Sequence, residues 1–369
     1  MGNSPDQGTA GLADDRGPVK RGPAGGGRFL HRMGRTGLLL VTIIAATALS
    51  GVGYQAACTL WDDHRLVPPG RFVTVDGLRL HMLVSGERRC ESDPVVVLET
   101  GLGGMSSAWG WIQPEVARFA RVVSYDREGL GWSEGDSGPL SARRHARRVH
   151  GMLQEAGLKS PYLLVGHSMG GLLIRVFNDL YPDEVCALVL IDASHPDQRL
   201  RSPAIRDHME EGFRLLRSMP LLAGVGYVRI SDVLISQAQG LPPLQFDQAR
   251  SFLCSYRHLK TANIEAGNWD ALCGEVRATG SLGDKPLTVI SAGKGAKPGA
   301  DELQGELARL SSRSRHVVVN GADHVTLVTH REHAHRVAAE IRRLLPVAAP
   351  SGKQQRPGQD LAAAANPAP

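Results

Sequence analysis

Gly166-His167-Ser168-Met169-Gly170 sets one hydroxyl between two glycines. The pentapeptide follows the apolar run "YLLVG" (162–166) and opens "GLLIRVF", patterns that predict a buried strand and then a helix. A serine on such a junction can do acyl-transfer chemistry. The sharp turn forces it into a strained backbone conformation, and bulky residues two positions either side would clash, so glycine is needed at both. The turn lifts the hydroxyl above the sheet. It also aims the following amide, Met169 N–H, at the reacting atom, over the positive end of the helix. The alternative is a glycine-rich packing turn.

A serine hydroxyl is a weak nucleophile without a base. "HVVVNGADHVTLV" supplies His324, a few loop residues after an apolar run at 316–320. His330, His333 and His335 fall in or next to the final helical stretch and read as surface residues, and His316 begins a strand. A second donor for a developing oxyanion is expected from "ETGLGG" (99–104), where glycines let the backbone approach a substrate; Leu102 N–H is the candidate.

The elements that must hold these groups alternate. "RFVTVDGLRLHMLVSG" predicts a hairpin around Asp76-Gly77. Apolar runs at 94–99, 121–126, 162–166, 187–192, 287–293 and 316–320 predict strands, most of them separated by helical stretches such as "SARRHARRVHGMLQEAG" (141–157). The expected class is α/β, a mostly parallel sheet with helices on both faces. Between Ser194 and Gly283 the strand rhythm lapses. This stretch reads as a helical lid inserted between strands six and seven, over about 195–283.

Over about residues 68–346 the chain resembles the α/β-hydrolase fold superfamily. "YDREGLGWSE" (125–134) is similar to that family's strand-four motif. "GHSMGGLLIRVFNDLYPDEVCALVLIDASHPD" (166–197) reads like its nucleophile turn through strand six. The resemblance implies a Ser-acid-His order along the chain, with Ser168 as nucleophile and His324 as base, and no metal or organic cofactor. The family's acid usually follows strand seven, but here that position reads "SAGKGAKPGADEL" (291–303), with lysines where the carboxylate belongs. Asp192, ending strand six in "LVLIDAS", is the expected acid, and Asp301 is the alternative. Asp323, adjacent to His324, points the wrong way for the usual Nδ1 contact. Relatives that open epoxides or haloalkanes need a carboxylate at the nucleophile turn, and Ser168 argues against both. The implied activity is hydrolysis of a carboxylic ester through an acyl-enzyme. A thioesterase, amidase or acyltransferase would use the same groups, and a non-catalytic binding module would keep only the fold. The apolar stretches "MPLLAGVGYVRI" and "LPPLQF" in the lid fit an apolar small-molecule acyl substrate.

With 42% hydrophobic and 21% charged residues, the 369-residue chain can bury one α/β core and carry tails besides. The charge of +5 is mild, and no basic stripe interleaves with aromatics, which speaks against nucleic acid. Residues 1–36 read as a disordered basic arm containing Lys20, Arg21, Arg28, Arg32 and Arg35. The uncharged run 37–57 is long enough for a hydrocarbon core of about 30 Å. Preceded by basic residues, it predicts a single-pass anchor in the cell membrane with the catalytic domain outside the cytoplasm. A cleaved signal segment of a secreted protein is the competing reading. Residues 347–369 read as a disordered tail. The five cysteines form no CxxC pair, against a zinc or dithiol site, and a Cys254–Cys273 disulfide stays open.

Overall fold

The computed structural model describes residues 26–135, 138 and 141–345. The basic arm as far as residue 25 and the tail over 347–369 lie outside the described residues. The first helix, α1, Gly26–Arg65, extends the apolar run at both ends. Its stretch Thr36–Arg65 is long and apolar enough to cross a membrane, with a mean hydropathy of 1.9 over its best window. The chain divides into two compact units, Met1–Ser50 and Gly51–Pro369. The first contains the N-terminal part of α1; the second contains everything that follows.

Eight strands form one sheet: β1 Arg71–Val75, β2 Leu78–Ser85, β3 Val95–Glu99, β4 Val122–Tyr125, β5 Tyr162–His167, β6 Val185–Ile191, β7 Leu287–Ala292 and β8 Ser314–Val319. Their order is β1-β2-β4-β3-β5-β6-β7-β8. The opening hairpin turns through Asp76 (φ 51°) and Gly77 (φ 77°), two left-handed residues as a type I′ turn requires. β2 also runs antiparallel to β4, and from β4 onward every pairing is parallel. The inner strands β3 to β7 are buried on both faces, which is why they read as continuous apolar runs, whereas the edge strand β8 is largely exposed. Alternate residues serve opposite cores. Val95, Val97, Leu164, Leu188 and Leu190 pack on one side, and Val96, Leu98, Leu163, Val165, Val189 and Ile191 on the other.

Helices cover both faces. α3 (Ala142–Glu155) and α4 (Met169–Leu180) pack on the first core. α2 (Ile112–Val116), α12 (Thr326–Thr329) and α13 (Arg331–Arg343) pack on the second. Between β6 and β7 lie α5 (Gln198–Arg201), α6 (Pro203–Gly224), α7 (Tyr227–Ser231), α8 (Pro243–Leu253), α9 (Tyr256–Gly267) and α10 (Trp269–Arg277), and no strand of the sheet. α8 and α9 are separate helices because Ser255 between them is extended (φ −91°, ψ 129°). α11, Ala300–Ala308, joins β7 to β8. Cys254 and Cys273 are free thiols, so no disulfide links them.

Within the second unit, the C-terminal turns of α1 dock on this helical insertion. Asp62 and Arg229 form an ion pair at 2.8 Å, with their side chains 9% and 7% exposed. Gln55 donates to the Cys254 carbonyl at 2.9 Å. Two charges taken out of water depend on each other. Arg229→Met, which strands Asp62, is expected to destabilise the protein by about 3–5 kcal/mol, and adding Asp62→Leu to recover most of that loss. Thermal unfolding of the detergent-solubilised variants checks both.

Candidate active site

Ser168 stands between β5 and α4 with φ 56° and ψ −122°, a conformation that costs a residue with a β-carbon on the order of 1–3 kcal/mol. Its surroundings hold it there. Its N–H donates to Ile191 O (3.1 Å), and its carbonyl accepts from Gly171 N (3.1 Å) and Ser194 N (3.0 Å). The glycines are explained by what a β-carbon would meet. At Gly166 it would lie 2.6 Å from the Gly170 carbonyl, and at Gly170 it would lie 2.4 Å from Glu99 O. Gly171 is a third such position, 2.4 Å from the Ala193 β-carbon, which lies outside the five-residue pattern.

Asp192 directly follows β6, also at positive φ (41°). Its N–H donates to Ile290 O at 2.6 Å, and its Oδ1 accepts from Ala292 N at 3.1 Å, so β7 fixes the carboxylate. The other oxygen, Oδ2, lies 2.6 Å from His324 Nδ1. His324 occupies the loop between β8 and α12. The structure therefore brings Asp192 to His324 and not Asp301, which sits in the first turn of α11. Asp323 accepts from Val325 N (3.0 Å) and Thr326 N (2.9 Å) and so caps α12. With Nδ1 committed to a carboxylate, Nε2 is the proton acceptor of the His324 ring.

The loop after β3 passes over the serine. A β-carbon at Gly101 would lie 3.5 Å from Ser168 Oγ. Gly103 N–H donates to Glu265 Oε2 at 2.7 Å and Gly104 N–H to Gly101 O at 3.0 Å. Leu102 N–H has no partner among the described residues. Met169 N–H heads α4, where no intrahelical acceptor exists.

The family model described as the alpha/beta hydrolase fold matches residues 94–217. The crystal structure of Cfl2 from Burkholderia cenocepacia superposes with a TM-score of 0.61 at 21% identity, over 75% of this chain and 95% of that one. The chain has the α/β-hydrolase fold. The crystal structure of a membrane phospholipase A superposes with a TM-score of 0.55 at 20% identity, over 85% and 99% of the two chains. A probable transporter, efuK, of Hormonema carpetanum is 33% identical over 141 residues, which are 36% of this chain and 20% of that protein. The chain's matches span 18% to 48% of the length of the first three curated relatives.

What holds the β3 loop is a buried guanidinium. Arg127, 1% exposed, donates from Nη1 to Glu99 Oε1 (2.8 Å) and Thr100 O (2.9 Å). Its Nη2 donates to Gly101 O (2.6 Å), and its Nε to Glu265 Oε1 (2.7 Å). Glu99 Oε2 in turn meets His145 Nε2 at 2.7 Å and the Tyr125 hydroxyl. From α9, His258 accepts from Gly131 N at Nδ1 (3.1 Å) and donates to Gly103 O from Nε2 (2.9 Å). Arg127 and Glu99 lie inside "YDREGLGWSE" and "ETGLGG", so the sequence marks their neighbourhood. Glu265 and His258 carry no sequence signal; only the fold of the insertion brings them to the loop.

Electrostatics follow from burial. Burial favours the neutral Asp192 carboxyl, but the hydrogen bond and charge of His324 outweigh it and hold Asp192 below the ordinary carboxylate value. Burial, then the charge of His324, pushes the His167 imidazole down to about 3. His167 donates from Nε2 to the His324 carbonyl at 2.9 Å, a support for the His324 loop that the sequence reading missed. Burial likewise pushes His258 down to about 4.

Ser168, Asp192, His324 and Leu102 line one cavity of about 870 Å³. Phe213, Leu215, Leu216, Met219 and Trp269 of the insertion give it apolar walls, and Lys294, Lys297 and Asp301 form a polar margin. Among the described residues no cluster of metal-ligating side chains occurs.

Two outcomes are expected. Gly170→Ala meets backbone rather than a movable side chain, so expression should yield little folded protein, whereas Gly212→Ala, with open space around it, should be neutral; circular dichroism and yield compare them. His258 titrates lower in the folded state than when unfolded, so its stabilisation is complete above about 6.5 and is lost as pH falls toward about 4. That window is worth on the order of 3 kcal/mol. The unfolding temperature should fall across it, and fall less steeply in His258→Gln, whose amide can both accept and donate.

Proposed function

We propose that the protein is a membrane-anchored serine hydrolase that cleaves a carboxylic ester of an apolar acyl group. The observation that carries this reading is the 2.6 Å contact between His324 Nδ1 and Asp192 Oδ2 in the cavity that Ser168 lines. In the mechanism, Ser168 Oγ attacks the ester carbonyl carbon while His324 Nε2 takes its proton. Asp192 holds the imidazole in the required tautomer and stabilises its positive charge. Met169 and Leu102 N–H groups receive the developing oxyanion. The tetrahedral intermediate collapses, and His324 returns the proton to the departing alcohol, leaving an acyl-serine. Water, deprotonated by His324, then attacks the acyl carbon and releases the carboxylic acid and free Ser168. The apolar walls from α6 and α10 support an apolar acyl group. The chemistry needs no metal or organic cofactor.

The anchor is the apolar run within α1, with the hydrolase domain outside the cytoplasm. The basic residues before the run and the likeness to a membrane phospholipase A support that side of the reading.

The test is hydrolysis of p-nitrophenyl esters from acetate to palmitate by the full chain in detergent. Ser168→Ala and His324→Ala are expected to lose about 10³-fold or more in kcat, and Asp192→Asn about 10³–10⁴-fold. Asp301→Ala should stay within about twofold. A folded wild type no faster than Ser168→Ala on every ester would overturn the esterase reading, and loss with Asp301 rather than Asp192 would overturn the assignment of the acid.

A further inference from the structure

The apolar run of α1 ends in close contact with the elbow between α6 and α7. A β-carbon at Gly51 would lie 2.2 Å from Val225 O, and one at Gly226 would lie 3.0 Å from the Tyr54 ring. Arg229 reaches Gln55 and Asp62 on the same helix. The elbow, Ser218 to Ser231, has Arg229 as its one charged residue, and that residue is turned inward onto the Asp62 carboxylate. Its apolar side chains do the opposite: Leu221, Tyr227 and Ile230 are 73%, 51% and 68% exposed. An exposed apolar patch beside an inward-facing charge is the reverse of what an aqueous surface selects.

Depth supplies the occupant. If residues 37–57 fill the hydrocarbon, Gly51 lies six residues inside its edge, about 9 Å at the helical rise. Whatever packs against Gly51 lies at that level. Tyr54 and Trp61, 43% and 66% exposed, mark the boundary with side chains that favour it. We infer that the α6–α7 elbow dips into the acyl region of the bilayer beside α1, with Leu221, Tyr227 and Ile230 in contact with lipid. The inference rests on the membrane-anchor reading above, and its readout does not depend on catalysis. Interfacial seating of this kind buries apolar side chains about 5–10 Å into the boundary. It also places lipid against the insertion whose Leu215, Leu216 and Met219 wall the cavity.

The experiment uses the full chain with Cys58→Ser, Cys90→Ser and Cys186→Ala, reconstituted into phosphatidylcholine vesicles. Cys254 and Cys273, both buried, are left in place; one cysteine added at Ile230→Cys or Leu221→Cys carries an environment-sensitive fluorophore, and lipids with a doxyl spin label on the acyl chain act as quencher. Ile44→Cys in the apolar run is the positive reference. Asp207→Cys, near the other end of α6, is the aqueous one. The expected result is quenching at both elbow positions several-fold above that at Asp207→Cys and approaching that at Ile44→Cys. Quenching at Ile44→Cys but not at the elbow overturns the inference while leaving the anchor intact. Quenching at neither overturns both. Label-to-label energy transfer between elbow cysteines without doxyl quenching assigns the face to a second copy of the chain and also overturns the inference.

Discussion

The buried guanidinium of Arg127 is the interaction on which the site depends. It lies at the C-terminal end of β4, yet its nitrogens reach the end of β3, the loop over Ser168 and the insertion helix α9. A lone charge so deeply buried would be strongly unfavourable; two carboxylates and two backbone carbonyls offset its desolvation. The pairing is mutual, because Glu99 and Glu265 need Arg127 as much as it needs them. Directionality is the second consequence. A planar fork accepts few arrangements of partners, so the loop that carries Leu102 has one position relative to the sheet.

The nucleophile turn depends on a second constraint, close approach rather than charge. Ser168 is held at positive φ because α4 begins almost against the end of β3, where only glycine at 170 leaves room for the carbonyl of Glu99. The two constraints meet at Glu99 and Thr100. Their side chains bind Arg127, and their carbonyls crowd Gly170. The loop and the turn at Ser168 are thereby positioned against each other by backbone contact. Asp192 and His324 are positioned separately, by β7 and by His167, and line the cavity of Ser168 from the other side of β5 in the sheet order.

The insertion links chemistry to location. α9 supplies Glu265 and His258 to the loop, α6 supplies apolar cavity walls, and the elbow after α6 meets the end of the apolar run. The same segment therefore closes the site and faces the region where a membrane boundary would lie. Its apolar stretch "MPLLAGVGYVRI", which as sequence reads equally as lid core or substrate contact, divides its residues between these roles: Met219 faces the cavity and Leu221 and Ile230 face outward.

The sequence by itself determined the sheet and the strained turn that carries Ser168. Parallel strands buried on both faces must be continuous apolar runs, and a strained strand–helix turn must be flanked by glycine, so both are written locally. It also located His324 and Leu102, because each belongs to a loop directly after a recognisable strand. Which carboxylate meets His324 was left between Asp192 and Asp301, since both follow strands and nothing local says which one reaches the imidazole. That was decided by the neighbouring positions of β6 and β7 in the sheet, which let Ala292 N–H orient Asp192 toward His324. Glu265 and His258 were invisible for the same reason. They lie 138 and 127 residues along the chain from their partners Arg127 and Gly131, and only packing of α9 against the β3 loop turns two ordinary helical residues into supports of the site.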